Sequence, residues 1–158
     1  MISLKKLFHL IDLARKCNKC AMLHFQNLSF NQVKYKNDNS PLTQADLEVN
    51  QIAVNGIKKL FPSVKIVSEE FERSQQFFQN NNIFWLIDPI DGTKEFINKK
   101  TNFTVNFALI KNNSPIFGLI SQPYTGNIWY NFKGKAWRLE NNQNFENSQQ
   151  IQCNKIDY

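Results

Sequence analysis

The apolar positions change their spacing once along the chain, dividing it into a helical beginning and a strand-rich remainder. Leu4, Leu7, Phe8, Ile11 and Ala14 recur at steps of three and four. That is the period of an amphipathic helix, and it predicts one from Leu4 to about Phe25. Residues 26–41 are polar and turn-rich, with a short extended patch at Val33-Lys34-Tyr35. A second helix is expected next. Ser40 suits its cap and Pro41 its first position. Ala45, Val49, Ile52, Ala53, Gly56 and Leu60 mark its buried face, and Pro62 ends it.

Beyond Pro62 the apolar runs become short and rich in β-formers. They predict strands at Val64 to Val67, Phe84 to Ile87, Phe103 to Ile110, Ile116 to Ser121, Asn127 to Tyr130, Ala136 to Leu139 and Gln150 to Cys153. Lys111-Asn112-Asn113-Ser114 and Lys133-Gly134 supply turns between them. Phe71 to Asn82 reads as a polar excursion with some helical character. Two helices followed by an antiparallel meander give an α+β fold, a layered α/β sandwich with the helices packed on a mostly antiparallel sheet. A doubly wound fold would alternate strand and helix. The chain also lacks the Gly-x-Gly-x-x-Gly and P-loop patterns of dinucleotide and NTP sites.

Composition narrows this picture modestly. The chain has 158 residues, 42% hydrophobic and 20% charged, which suits a single folded domain with a real core. Fourteen phenylalanines can fill that core. The net charge of +6 raises the question of a polyanionic partner. The lysines are scattered in pairs (Lys5-Lys6, Lys58-Lys59, Lys99-Lys100), with no stripe of arginine and aromatic residues. A nucleic acid polymer is therefore not expected; a surface that draws small anions fits better. Cys17, Cys20 and Cys153 are odd in number, and the Cys17–Cys20 spacing has no second pair, so both thiols read as passengers on the first helix. His9 and His24 have no carboxylate near them in sequence and read as structural or exposed. The first helix lacks the long apolar run of a signal or transmembrane segment, and free thiols suit the cytoplasm, which is the expected location.

The candidate chemistry lies in three acidic clusters. Thr43-Gln44-Ala45-Asp46 opens the second helix; Ser68-Glu69-Glu70 and Asp88-Pro89-Ile90-Asp91-Gly92-Thr93 each end a strand. In the last, Pro89 restrains the backbone and Gly92 permits a sharp turn, so both carboxylates and the Ile90 carbonyl can be aimed at one point. All-oxygen ligation of that kind suits a hard cation such as Mg²⁺. A short helix over Thr93 to Asn98 would present its N-terminus to an anion. The alternative is an acidic turn that merely caps a helix. The second acidic strand end favours the metal reading, because several carboxylates in one cleft repel each other and a cation relieves them.

The stretch Trp85-Leu-Ile-Asp88-Pro-Ile-Asp91-Gly-Thr-Lys-Glu-Phe-Ile97 resembles the signature of the lithium-sensitive, magnesium-dependent phosphomonoesterases, the superfamily of inositol monophosphatase. The Lys94-Glu95-Phe96 continuation is most similar to the 3'(2'),5'-bisphosphate nucleotidase branch. So are Asn39-Ser-Pro-Leu-Thr-Gln-Ala-Asp46 and Val67-Ser-Glu69-Glu70. Phe103-Thr-Val-Asn-Phe-Ala-Leu-Ile110 and Pro115-Ile-Phe-Gly-Leu-Ile120 match the family's central hairpin.

The resemblance implies that Glu69, Asp88 and Asp91 are metal ligands and that Ile90 ligates through its carbonyl. It implies that Thr93 orients the attacking water and Asp46 accepts its proton, while Glu70 stands just behind the ligands. Gly92 and Thr93 would receive the phosphate through their amides, and Lys36 would attract it. The implied reaction is Mg²⁺-dependent hydrolysis of adenosine 3',5'-bisphosphate to AMP and phosphate, a step of sulfur metabolism. Alternatives are an inositol or other sugar monophosphatase, and a truncated, inactive metal-binding remnant.

Members of that family continue into a second domain that brings a further aspartate from a Trp-Asp-x-Ala type motif. Here none of Trp85, Trp129 and Trp137 precedes an aspartate. Residues 1–153 are accordingly expected to form the N-terminal metal-binding domain, and residues 154–158 the start of a linker. The missing wall would come from self-association or from a separate chain. The resemblance also implies peripheral association with the inner membrane as one location.

Overall fold

The structure is a computed structural model, and it describes residues 2–28, 34–35, 41–70 and 82–152. Helix α1 (Leu4–Asn27) starts at Ser3, whose hydroxyl accepts from the Lys6 amide at 3.3 Å. Its stripe Leu7, Leu10, Ile11, Ala14, Cys17, Ala21 and Phe25 is buried, as the three-and-four spacing requires. Strands β1 (Lys34–Tyr35) and β2 (Pro41–Leu42) pair antiparallel as a short ribbon. Helix α2 (Gln44–Leu60) follows directly.

The expected cap of α2 is corrected here. Pro41 lies in β2, and Thr43, not Ser40, is the N-cap. Thr43 stands three residues before Asp46, and the Asp46 carboxylate reaches back to the Thr43 amide at 2.8 Å. That reciprocal capping box starts the helix at Gln44. Ser40 itself lies outside the described residues, as do the Phe71–Asn81 part of the polar excursion, Val33 and Cys153.

The remaining strands form one seven-stranded sheet in chain order: β3 (Lys65–Ser68), β4 (Ile83–Asp91), β5 (Thr104–Lys111), β6 (Ser114–Ser121), β7 (Ile128–Phe132), β8 (Lys135–Leu139) and β9 (Gln149–Ile151). Among the described residues, β3 and β4 alone run parallel, and every other neighbour pair in this sheet is antiparallel. The last strand falls slightly earlier than its expected span. The hairpin turn at Lys133-Gly134 has positive φ at both residues, 51° and 73°, which suits the right-handed twist of the flanking strands.

The helices cover one face of the sheet. Strand β5 shows this most clearly: Val105, Phe107 and Leu109 are buried, while Asn106, Ala108 and Ile110 between them are partly open. Trp85, Ile87, Phe117, Leu119 and Ile128 complete the covered face. Trp129 and Trp137 pack in the β7–β8 hairpin, with the Arg138 guanidinium 6.0 Å from the Trp129 ring centre and Trp137 across from Tyr130. Between α3 (Thr93–Ile97) and the end of α1, Phe25, Phe96 and Phe103 form an aromatic cluster with centroids 4.9 to 5.5 Å apart. This cluster fixes α3 against α1 just beside the acidic strand ends.

Candidate functional site

Strands β3 and β4 are parallel, so their C-terminal ends lie at the same edge of the sheet. Ser68 is level with Ile87, and the Glu69 amide donates to the Ile87 carbonyl at 3.1 Å. Glu69 is thereby set beside Asp88. The first two residues expected to meet do so for a reason the sequence carries: both follow an apolar strand that ends in acid.

Asp88 and Asp91 need a further device. On a regular strand, residues three apart point to opposite faces. Here Asp88 pairs with Asn106 and Asp91 with Thr104, so β4 spends two residues, Pro89 and Ile90, where β5 spends one. This β-bulge restores both aspartates to one side. The Asn106 side chain shows the result. It stands opposite Asp88 in the ladder, yet its Nδ2 donates to Asp91 Oδ2 at 3.1 Å. Pro89 has no amide to lose from the ladder at this irregular point.

Gly92 then turns the chain with φ +95°, a conformation that side chains disfavour. A Cβ there would also meet the Asn102 carbonyl at 3.3 Å. The turn starts α3 and places the Thr93 hydroxyl 3.1 Å from Asp46 Oδ1 and 3.1 Å from the Ile90 carbonyl oxygen. Asp46 comes from the other side of the cleft, from the first turn of α2. Its second oxygen accepts from the Thr43 amide and from the Thr43 hydroxyl at 2.6 Å. A hydrogen bond from Ser68 Oγ to Asn50 Oδ1 at 2.6 Å ties α2 to the end of β3 one turn further on.

The electrostatics follow from crowding. Burial raises the Asp46 carboxyl above its ordinary value, against the lowering effect of bonds from Thr43 and Thr93. Asp88 is pushed up to about 7, first by burial, then by the charges of Glu69 and Asp91, with a smaller push from Asp46. The charges of the other three acids therefore converge on Asp88. Asp88 Oδ1 is buried and accepts no hydrogen bond. A buried carboxylate oxygen without a donor, facing like charges, is what a hard cation would satisfy, so the donor set fits Mg²⁺ chemically. The residues that would hold the ion are Glu69, Asp88, Asp91 and the Ile90 carbonyl.

Of the site residues expected from sequence, the structure brings together Asp46, Glu69, Asp88, Ile90, Asp91, Gly92 and Thr93. Glu70 adjoins them, its amide 3.4 Å from Ser68 Oγ. Lys36 lies outside the described residues. Thr43 and Ser68 stand in the acidic clusters with no role assigned from the sequence, and Asn50 and Asn106 are not marked by it at all. Thr43 carried a signal, its spacing to Asp46; the other three depend on pairings between distant segments. His24, which has no carboxylate near it in sequence, meets one in space. Its Nε2 lies 2.9 Å from Glu48 Oε2, delivered by α2 from 24 residues away.

Comparison with known proteins identifies the family and the fold. A model of the inositol monophosphatase family matches residues 4–157. The 3'(2'),5'-bisphosphate nucleotidase CysQ of Buchnera aphidicola is 38% identical over 136 residues, covering 86% of this chain and 51% of that protein. The protein of the same name from Escherichia coli is 37% identical over 129 residues, covering 82% and 52%. Among solved structures, an IMPase from Thermotoga maritima matches with a TM-score of 0.73 at 27% identity, over 89% of this chain and 52% of the other. CysQ from Bacteroides thetaiotaomicron matches with a TM-score of 0.70 at 26% identity, over 95% and 59%. The chain spans about half the length of the curated relatives it matches.

Proposed function

Because the chain belongs to the inositol monophosphatase family, we propose that it carries the metal- and phosphate-binding part of a Mg²⁺-dependent 3'(2'),5'-bisphosphate nucleotidase, acting on adenosine 3',5'-bisphosphate. The observation that carries this reading is Asp88: a half-buried carboxyl raised to about 7 beside Glu69 and Asp91, with an oxygen that has no donor. The name CysQ on relatives at 35% to 38% identity supports the nucleotidase branch.

In this reading Glu69, Asp88, Asp91 and the Ile90 carbonyl hold the cation. Bound there, Mg²⁺ supplies positive charge against the phosphate dianion and acidifies the attacking water. Thr93 has one hydroxyl proton and two acceptors within 3.1 Å, Asp46 and Ile90. The Ile90 carbonyl would be taken up as a ligand when the cation is bound; the Thr93 proton would then point to Asp46, leaving the Thr93 oxygen to accept from water. Water then attacks phosphorus as its proton passes by way of Thr93 to Asp46. The bond from phosphorus to the 3'-oxygen breaks, and that oxygen leaves as the hydroxyl of AMP after taking a proton from solvent. Burial raises the proton affinity of Asp46 above that of an ordinary carboxylate, which suits it to the role of proton acceptor. The amides of Gly92 and Thr93, at the opening of α3, receive the phosphate oxygens, and Lys36 adds attraction.

A second reading, a sugar monophosphatase, is favoured by the IMPase likeness at TM-score 0.73. One experiment addresses both: phosphate release from adenosine 3',5'-bisphosphate and from inositol 1-phosphate, with Mg²⁺ titration calorimetry on the same sample. The expected result is Mg²⁺ binding and Mg²⁺-dependent release from the bisphosphate, with both lost in Asp91→Asn, the release on the order of 10³-fold. Preference for inositol 1-phosphate would replace the first reading by the second. A folded chain that neither binds Mg²⁺ nor releases phosphate would sink both.

A further inference from the structure

The margin where α1 meets α2 brings together a second set of ligating groups, set apart from the acidic strand ends by a thiol and an imidazole. Cys20 and His24 are four residues apart on α1 and so lie on one face of it. Glu48 comes from α2. The Cys20 thiol, a ring nitrogen of His24 and a carboxylate oxygen of Glu48 all lie within 4.8 Å of one another. His24 Nε2 and Glu48 Oε2 are 2.9 Å apart. The other Glu48 oxygen is held by the Gln44 amide at 3.1 Å, which leaves Oε2 aimed at the cluster. Cys20 and His24 are half-buried and Glu48 is exposed, so the cluster is anchored in structure yet reachable from solvent.

We propose that Cys20, His24 and Glu48 form a binding site for a borderline-soft divalent cation of the Zn²⁺ or Co²⁺ kind, bridging α1 and α2. Tetrahedral Zn²⁺ with bonds of about 2.3 Å to sulfur and 2.0–2.2 Å to nitrogen and oxygen sets its ligand atoms roughly 3.2–3.7 Å apart. The three groups therefore close on an ion by side-chain rotation, the His24–Glu48 contact opening slightly. Thiolate and imidazole select Zn²⁺ and Co²⁺ over Mg²⁺, whereas the carboxylates of the strand ends favour the hard ion. The fourth position is left for water. Gln44 plays the part of an outer partner that orients a ligating carboxylate. Burial and then the Glu48 charge push the Cys20 thiol above its ordinary value; because the thiolate is the ligand, binding releases a proton and tightens as pH rises.

A bridge here joins the two helices at the solvent-facing margin of their contact, with Cys20 packed against the edge of the core. Because α2 also carries Asp46, occupancy holds the N-terminal part of that helix against α1. The site is separate from the one that hydrolyses phosphate esters and stands whether or not that reading holds.

The test is Co²⁺ titration of the chain with Mg²⁺ in excess to occupy the acidic strand ends. One Co²⁺ per chain is expected, with the near-ultraviolet absorption of a thiolate–Co²⁺ bond, displaced by Zn²⁺. Cys20→Ser should abolish that absorption, His24→Gln should weaken binding by more than about 100-fold, and Gln44→Ala by about tenfold. Far-ultraviolet circular dichroism checks that each variant is folded, and His24→Gln, which leaves the half-buried thiol in place, serves if Cys20→Ser does not fold. Absence of the thiolate band in the parent chain overturns the proposal. So does a band that survives Cys20→Ser, or binding indifferent to His24→Gln. Phosphate release measured on His24→Gln is expected to equal the parent's, so failure of this site is distinguishable from failure of the other.

Discussion

Asp46 and Glu48 are two residues apart on the same helix, yet their carboxyls are pushed in opposite directions. Asp46 faces inward, where burial raises its proton affinity despite donors from Thr43 and Thr93. Glu48 faces outward, where hydrogen bonds from His24 and Gln44 lower it while burial has little influence. The helix period alone makes the difference, since a step of two residues turns a side chain to another face. One short segment thus turns a carboxyl of raised proton affinity toward the crowded acidic strand ends and a carboxylate of lowered proton affinity toward a thiol and an imidazole. Desolvation decides protonation on the inner side, and specific partners decide it on the outer.

The inner side is the place for the largest effect. Thr93 touches Asp46 and the Ile90 carbonyl through one hydroxyl. Thr93→Val keeps the shape and removes the relay, and should lower kcat by about 10²-fold with KM nearly unchanged. A fall in affinity with kcat preserved would mean that Thr93 binds phosphate and does not guide the proton. The common support of both sides is the contact of the two helices. At Gly56 a Cβ would meet the Leu13 side chain at 2.3 Å, so Gly56→Val should wedge α1 from α2. Urea unfolding should show a loss of roughly 1–3 kcal/mol; an unchanged midpoint would mean that Leu13 simply swings away.

Asp88 sharpens the contrast through pH. Its carboxyl rises from an ordinary 3.8 to about 7 on folding. Between those values the folded chain, free of metal, holds a proton that the unfolded chain has lost. This contribution to stability is complete below about 3.8 and is lost as pH rises through about 7. Asp88→Asn cannot ionise, so at pH 8 in chelator it should melt above the parent. The gain, reduced by solvent screening of a half-buried group, is about 1 kcal/mol, or roughly 2–4 °C. The same variant should lose stabilisation by Mg²⁺. A lower melting point in chelator would show that like-charge repulsion is not what Asp88 experiences.

These particulars also show what a linear reading can and cannot reach. The helices were legible because α1 and α2 each bury one stripe, and β5 because it alternates. The acids were legible because Glu69, Asp88 and Asp91 each sit at the end of an apolar run. The way they converge was not. It depends on the bulge at Pro89–Ile90 and on Asn106 across the ladder, both of which require the register of β4 on β5. The cap of α2 was misplaced by three residues because Ser-Pro is a strong local signal, while the box between Thr43 and Asp46 is recognised only when an aspartate is allowed the role usual for glutamate. His24 and Glu48 are far apart in sequence, and only the packing of two helices makes them neighbours.

That pair gives the smallest effect, and its smallness is informative. His24 and Glu48 form a contact of 2.9 Å with side chains 24% and 50% exposed. Exposed pairs of this kind contribute about 0–1 kcal/mol, because solvent screens them and ordering long side chains costs entropy. In chelator, His24→Gln should therefore move the unfolding free energy by less than about 1 kcal/mol. With Zn²⁺ in excess of its dissociation constant the parent should gain stability and the variant should not, since only a ligand that binds the folded state raises it. A large loss in chelator would mean that the contact is itself a structural tie and that the ligand geometry is incidental. A small loss in chelator together with a large difference in Zn²⁺ would assign the arrangement of Cys20, His24 and Glu48 to metal binding, and the difference in midpoint against Zn²⁺ concentration would measure its affinity.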